Sequence, residues 1–500
     1  MIMTQERQIL KGQAQLEEMA AFVRQAAQDG RPIDQVERGL WQSLLALGHT
    51  LLSGYVEGVG PGNVGDTLAH EGRELRRLDV HDRRYVSVFG ELAISRYVYG
   101  ARETQKHEVI PADALLGLPD SEFSYLLQEW DQSFCVEDSY DESRQKVKRI
   151  LGIGQSVRSL EQMSVSMAES VADFRESQPK PPADEEGSIV VLTADGKGVP
   201  MRRDAQQDAP AARGRRKKGE KANKKQMACV GGVYTIAPFV RTPEDVIDEI
   251  LRDSRKPDRP KPCHKQLRAE LTRPIAGVEV NAKERIFSWL AEQVKLRNPK
   301  GRKKVVCVMD GERALWKMLL TLLPGIVCIL DLFHVLERLW QAAHCFHAEG
   351  SDAAREFVSD RLLRLLRGEV GYVIGGLKQM AIKRGLGGSR ARQLNAAIGY
   401  LENNRRFMRY DEYLAAGYPT RLAKRVGSGV AEGACRHLVK DRMERTGMRW
   451  RVPGAQAMLD LRAVYINGDW DAFHNYRIEE ERRKLYPYLS LVRRKLRRVA

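Results

Sequence analysis

The chain has 500 residues, enough for two or three domains with a large core, so it needs neither disulfides nor a structural metal to hold together. Lys and Arg number 82 against 66 Asp and Glu; the net charge of +16 favours a polyanionic partner, because each neutralised phosphate releases condensed counterions. Seven cysteines show no C-x-x-C pair and no paired framework, the opening "MIMTQERQIL" is polar, and no apolar run approaches the about 20 residues of a membrane span. These features exclude a disulfide scaffold and a membrane partner and predict a cytoplasmic location.

Residues 5–29 and 34–58 carry apolar positions at helical spacing and predict a helical pair. "RRYVSVFGELAISRYVYG" alternates about a central "FGE" and predicts a β-hairpin. Several helices follow, and Ser139 to Ala168 reads as helix, "GIGQS" turn and helix with Ser156 as a cap. That pattern fits a helix-turn-helix whose second helix would enter a major groove, and equally an ordinary helical pair. The Pro-rich stretch 176–188 closes this N-terminal region, residues 1–180.

A second region opens with "IVVLTADGKGVP", a strand buried on both faces that ends on Asp195. The excursion "RRDAQQDAPAARGRRKKGEKANKK" comes next, and its Arg215, Arg216, Lys217 and Lys218 are candidate contacts to nucleic acid. "KVVCVMDGERALW" and "GIVCILDLFHVLERLW" repeat the pattern of apolar strand, aspartate and helix, ending on Asp310 and Asp331. Apolar runs alternating with helices predict a largely parallel α/β sheet covered on both sides, with residues 188–345 as its first part. Residues 346–420 read as a helical insertion, 421–475 as a return to the core, and 476–500 as a basic tail.

A carboxylate at the carboxyl end of a buried strand sits where open α/β sheets place ligands, and burial is costly unless a cation joins it. Asp195 and Asp310, each followed by glycine, repel if their strands are neighbours, and a divalent cation relieves that repulsion. Without convincing His and Cys sets, the hard oxygen donors favour Mg²⁺ or Mn²⁺; two such ions suit phosphodiester chemistry. His344, Cys345 and His347 lack a fourth zinc ligand. For a third acid, Glu432 in "GSGVAEG" has small neighbours and lies in a first helical turn, while Glu444 sits deeper among "KDRMER". Asp331 and His334 form D-x-x-H at a helix head, either supporting the site or capping and packing. Arg436, Lys440, Arg442 and Arg449 are candidate contacts to a nucleic-acid backbone.

"TADGKGV", "VMDGERALW", "DLFHVLERLW", "YLENNRRFMRYDEYLAAGYP" and "GSGVAEGACRHLVKDRMERTGMRW" together resemble the ISKra4-like transposases of insertion sequences, and more distantly the Mutator type. The resemblance covers about residues 70–475. It implies an RNase H-like mixed sheet interrupted by helices, with a DDE site on Asp195, Asp310 and Glu432 holding two Mg²⁺ (or Mn²⁺) ions, and Asp331 and His334 in support. It further implies cutting and joining of DNA at element ends and target, a homo-oligomer, and association with the nucleoid. Some relatives carry a cysteine-rich ribbon that this chain lacks, so its DNA reader works without zinc. Two other readings are a catalytically inactive, transposase-derived DNA-binding protein, and a nucleotide-binding α/β enzyme, for which "GKG" lacks the full glycine fingerprint.

Overall fold

The computed structural model describes residues 2–101, 108–182, 185–202, 225–252, 259–420, 435–445 and 447–499. The chain divides into two compact units, Met1–Phe174 with Asp469–Ala500, and Arg175–Gly468.

In the first unit two helices of 27 residues, Ile2–Gln28 and Ile33–Val59, pack on each other. The sequence hairpin is β2 (Arg73–Ser87) with β3 (Gly90–Gly100), closing at Ser87 opposite Gly90. A short β1 (Thr67–His70) pairs antiparallel with β2. The first half of β2, "RELRRLDVHD", is too charged to announce itself as a strand. Helices Tyr125–Cys135, Tyr140–Leu151 and Val157–Ala168 pack pairwise. Ser139 and Glu142 form a capping box at the head of the second, Gly152 ends it in the left-handed region (φ 76°), and Ser156 caps the third. Each satisfies backbone groups that a helix end leaves unpaired, so the turn between the last two helices is locally encoded.

Residues 476–500 correct the expectation of a tail. Helices Trp470–Leu485 and Leu489–Val499 belong to the first unit, where Tyr486, Tyr488 and Val492 pack in one core cluster with Leu68, Leu75, Tyr99 and Val109. The last helix is basic on one face and apolar on the other, and the apolar side is what binds it here.

The second unit is built on a five-stranded mixed sheet: β4 (Ile189–Pro200), β5 (Lys225–Ile236), β6 (Cys263–Leu271), β9 (Lys304–Met309) and β10 (Val327–Leu330), in the order β10-β9-β4-β5-β6. A separate hairpin of β7 (Arg273–Ile275) and β8 (Val278–Val280) follows β6. The β10–β9 and β4–β9 pairs are parallel; β4–β5 and β5–β6 are antiparallel. The sheet is therefore mixed, as the resemblance implies, and not largely parallel as the apolar runs alone predict. The apolar runs of β4 and β9 reflect burial on both faces, which a central strand of a mixed sheet experiences as fully as one of a parallel sheet.

Between residues 346 and 420 lie the helices Asp352–Leu366, Val370–Lys383, Gly388–Asn404 and Tyr410–Ala415. This block is pinned to the sheet by tyrosine hydroxyls. Tyr410 donates to the carbonyl of Leu330 (2.8 Å) and Tyr413 to that of Cys328 (3.0 Å). Strand β10 is an edge strand, and those hydrogen bonds occupy carbonyls near its carboxyl end.

Candidate active site

Asp195, Asp310 and Asp331 reach the same level because three neighbouring strands run parallel: β9 and β10 end just before Asp310 and Asp331, while β4 continues past Asp195 to Pro200, paired with β5. Val191, Leu192 and Thr193 of β4 lie opposite Val306, Cys307 and Val308 of β9. Continued by two residues beyond the paired positions, that register brings Asp195 level with Asp310, and the Asp195 charge acts on Asp310. On the other side of β9, Leu330 lies opposite Met309, and the Asp331 N–H donates to the Met309 carbonyl at 2.9 Å.

The three carboxylates occupy different environments. Asp331 is fully buried and accepts from the backbone N–H of Phe333 (3.4 Å) as the N-cap of helix Leu332–Phe346. Its other oxygen lies 2.7 Å from Nδ1 of His334. That hydrogen bond, opposed by burial and aided by the charges of Asp331 and Asp310, pushes the imidazole up to about 9, so His334 is a cation at neutral pH. Asp310 is half-buried; burial raises its carboxyl above the ordinary range, the N–H of Glu312 (3.0 Å) opposes this, and the Asp195 charge adds to the rise. Asp195 accepts from the N–H of Gly196 at 2.6 Å.

The backbone around Asp310 is tightly specified. Gly311 has φ 98°, and a Cβ there would lie 3.0 Å from both the Asn404 amide and a Leu330 methyl, so only glycine fits. Tyr400, on the inserted helix Gly388–Asn404, donates its hydroxyl to the Asp310 carbonyl at 2.6 Å, and the Arg338 guanidinium lies 4.8 Å from its ring centroid. The helical insertion thus fixes the backbone that carries the second aspartate.

Three further residues take part, and two of them have no obvious sequence signature. Glu312 projects toward β4, where a Cβ on Gly196 would lie 3.7 Å from its Oε2, and its other oxygen accepts from Lys283 Nζ in the first turn of helix Ala282–Arg297. Cys435 is buried with its thiol against Asp195; burial and that carboxylate both push the thiol well up. The Glu312 signal was available in "DGER", an acid two residues past a strand-end aspartate. Lys283 and Cys435 are set by packing alone.

Of the remaining candidates, Glu432 and Arg215, Arg216, Lys217 and Lys218 lie outside the described residues. The segment Cys435–Lys440 is held by Arg462 of helix Val452–Asn467, which donates to the Leu438 carbonyl (3.0 Å) and to that of His437. Arg436, Lys440 and Arg449 are exposed, and Arg436 pairs with Asp441 at 3.5 Å. Arg442 corrects its expectation: it is fully buried, with its guanidinium 5.0 Å from the Trp450 ring centroid and 3.2 Å from the Met448 sulfur. It braces the chain rather than meeting solvent, because Trp450 is in turn tied to the end of β4 through its N–H to the Pro200 carbonyl (3.0 Å). Glu444 pairs with Lys225 at 2.6 Å. Among the described residues, no group of three or more His, Cys, Asp or Glu side chains is arranged to hold a metal ion. Among the same residues, no helix is long and apolar enough to cross a membrane.

Comparison with protein-family models finds no match, and comparison with curated proteins finds none. Among solved structures the chain is similar to a Drosophila P element transposase strand transfer complex, at 12% identity and a TM-score of 0.23, covering 75% of this chain and 82% of that one.

Proposed function

We propose that the chain is a metal-dependent DDE-type transposase that cuts DNA at the ends of its own mobile element and joins the freed 3′ hydroxyl to target DNA. The observation that carries the reading is the parallel pairing of β4 with β9, whose register, continued past Thr193 and Val308, brings Asp195 level with Asp310. The sheet order, with one antiparallel strand between two that run alike, is the order of an RNase H-like core and supports that assignment.

The donor set fits a divalent cation. Asp310 is raised by burial and by the Asp195 charge, so an ion between the two carboxylates would relieve both costs. Asp195 and Asp310 would hold it, with Glu432 as the third acid. Glu432 precedes Cys435 by three residues, a reach of at most about 11 Å, and the Cys435 thiol lies against Asp195. When bound, Mg²⁺ or Mn²⁺, as two ions in this reading, supplies Lewis acidity toward the phosphate and activates the attacking oxygen.

In the hydrolytic step, water oxygen bonds to phosphorus and the P–O3′ bond breaks, leaving a 3′ hydroxyl and a 5′ phosphate. In transfer, that hydroxyl displaces the 3′ oxygen of a target phosphodiester in the same way. The chain's own contributions are positional and electrostatic. Tyr400 and Gly311 fix the Asp310 backbone, and protonated His334 places positive charge beside Asp310, suited to a phosphate oxygen. Exposed Arg436, Lys440 and Arg449, with Arg215, Arg216, Lys217 and Lys218, serve as DNA backbone contacts. The partners in this reading are element-end DNA, target DNA and further copies of the chain.

The rival reading is a catalytically inactive, transposase-derived DNA-binding protein. Incubating the protein with DNA from either side of its own gene, with and without Mg²⁺, separates the two. Mg²⁺-dependent strand breaks that vanish in Asp310→Ala support the enzyme. Binding without breaks supports the rival, and breaks that persist in Asp310→Ala refute the site.

A further inference from the structure

Glu270, near the end of the edge strand β6, is 1% exposed and surrounded by three arginines. Arg268 forms a fork on one oxygen, through Nε at 2.9 Å and a terminal nitrogen at 2.8 Å. Arg273 reaches the other oxygen at 2.6 Å, and Arg285 lies 3.4 Å from it. Although burial raises the Glu270 carboxyl, the three guanidiniums together hold it below the ordinary range. One carboxylate neutralises one of the three positive charges; Glu270 is the carboxylate with which all three pair among the described residues.

These arginines are partly open to solvent, Arg285 most of all at 33%. Their heads are pre-positioned by the buried acid and by Gln456, whose Oε1 accepts from Arg273 at 2.7 Å. Guanidiniums so fixed lose little freedom on binding a planar or tetrahedral oxyanion, and an excess of two charges in a half-buried place is itself costly until an anion arrives.

Their position points to which anion. Cys229 of β5 lies opposite Gly196 on one side and Glu270 on the other, so the cluster stands two strand spacings, about 10 Å, from the strand that carries Asp195. Lys283 and Arg285 both lie in the first turn of helix Ala282–Arg297, and Lys283 reaches Glu312 beside the aspartate pair. One helical turn thus carries Lys283 toward Glu312 and Arg285 toward Glu270.

We propose that Arg268, Arg273 and Arg285, clasped about Glu270, form a phosphodiester-binding subsite that grips the backbone of a DNA strand about 10 Å from the strand that carries Asp195. The distance argument rests on the proposed reacting site; the anion-binding character of the cluster does not.

The test is DNA binding by fluorescence anisotropy over a salt series in EDTA, for the native full chain, Arg285→Gln and Arg285→Lys. Arg285→Gln is expected to weaken binding about tenfold at low salt and to make the salt slope shallower by about one, and Arg285→Lys to regain the slope but only part of the affinity. Native affinity and slope in Arg285→Gln, or a folded Arg285→Lys that fails to regain the slope, would overturn the subsite. The two proposals fail separately. Native cleavage with an unchanged Arg285→Gln slope removes the subsite alone; an altered slope with cleavage persisting in Asp310→Ala removes the reacting site alone.

Discussion

Nδ1 of His334 lies 2.7 Å from Oδ2 of Asp331, a carboxylate with no exposed surface, at the head of the helix that follows β10. The pair makes His334 a standing cation beside Asp310, with its titration moved up to about 9. Because the folded value exceeds the unfolded one, the stabilisation is complete below about 6.5 and is lost as pH rises through about 9. The native melting temperature should therefore fall between pH 7 and 10 more steeply than that of His334→Gln, and cleavage should decline over the same window. Parallel melting curves for the two proteins would count against a protonated His334.

Asp310→Asn should separate activity from stability. The carboxyl is raised by burial and by Asp195, so its charge is a net cost to the folded state above the ordinary carboxylate range, while the amide keeps the shape and an acceptor for the Glu312 N–H. Mg²⁺-dependent cleavage should disappear while the melting temperature at pH 8 without metal stays level or rises. A marked fall in stability would show that the carboxylate serves the fold.

Arg442 and Arg436 should behave oppositely despite being near neighbours. Arg442→Ala empties a fully buried position against Trp450 and should cost about 2–3 kcal/mol by chemical denaturation. Arg436, with a side chain 69% exposed, should tolerate alanine within about 0.5 kcal/mol and instead lower DNA affinity. The comparison needs only denaturation and binding curves on both variants.

Asp131 in the three-helix cluster is fully buried, and burial pushes it up to about 7 against the opposing hydrogen bond from Gln155 (2.8 Å). The folded state holds this proton to higher pH than the unfolded state, so the site costs stability as pH rises from about 4 to 7. Asp131→Asn should remove that cost, raising stability at pH 8 by on the order of 2–4 kcal/mol and by much less at pH 5. An equal gain at both pH values would place the effect in packing.

Much of the second unit was legible because burial on both faces writes itself as uninterrupted apolar runs. "IVVL", "KVVCVM" and "GIVCIL" mark β4, β9 and β10, and an aspartate follows each run, at the strand end in β9 and β10 but within β4, which continues to Pro200. Capping residues were legible for a similar reason: Ser139 with Glu142, and Ser156, act within a turn of their own helices. The direction of β5 was not, since an apolar run carries no sign telling which way its neighbour runs, and β6, "CHKQLRAEL", has no apolar run to announce it as a strand. Nor was the inward turn of Arg442, because a long charged side chain reads as surface until a partner such as Trp450 is brought to it.

The sequence by itself determined which apolar segments become buried strands, where an acid follows each apolar run, and which helices start where they do, because those outcomes depend on side chains a few positions apart. Only the tertiary structure decided that Thr193 meets Val308, so that Asp195 comes level with Asp310, and that Lys283, Glu312, Tyr400 and Cys435 gather around them. It also decided that the basic C-terminal helices fold into the first unit. The reason is physical: register and docking are fixed by contacts between residues far apart in the chain, where the free energy lies in the fit of two surfaces and in neither one alone.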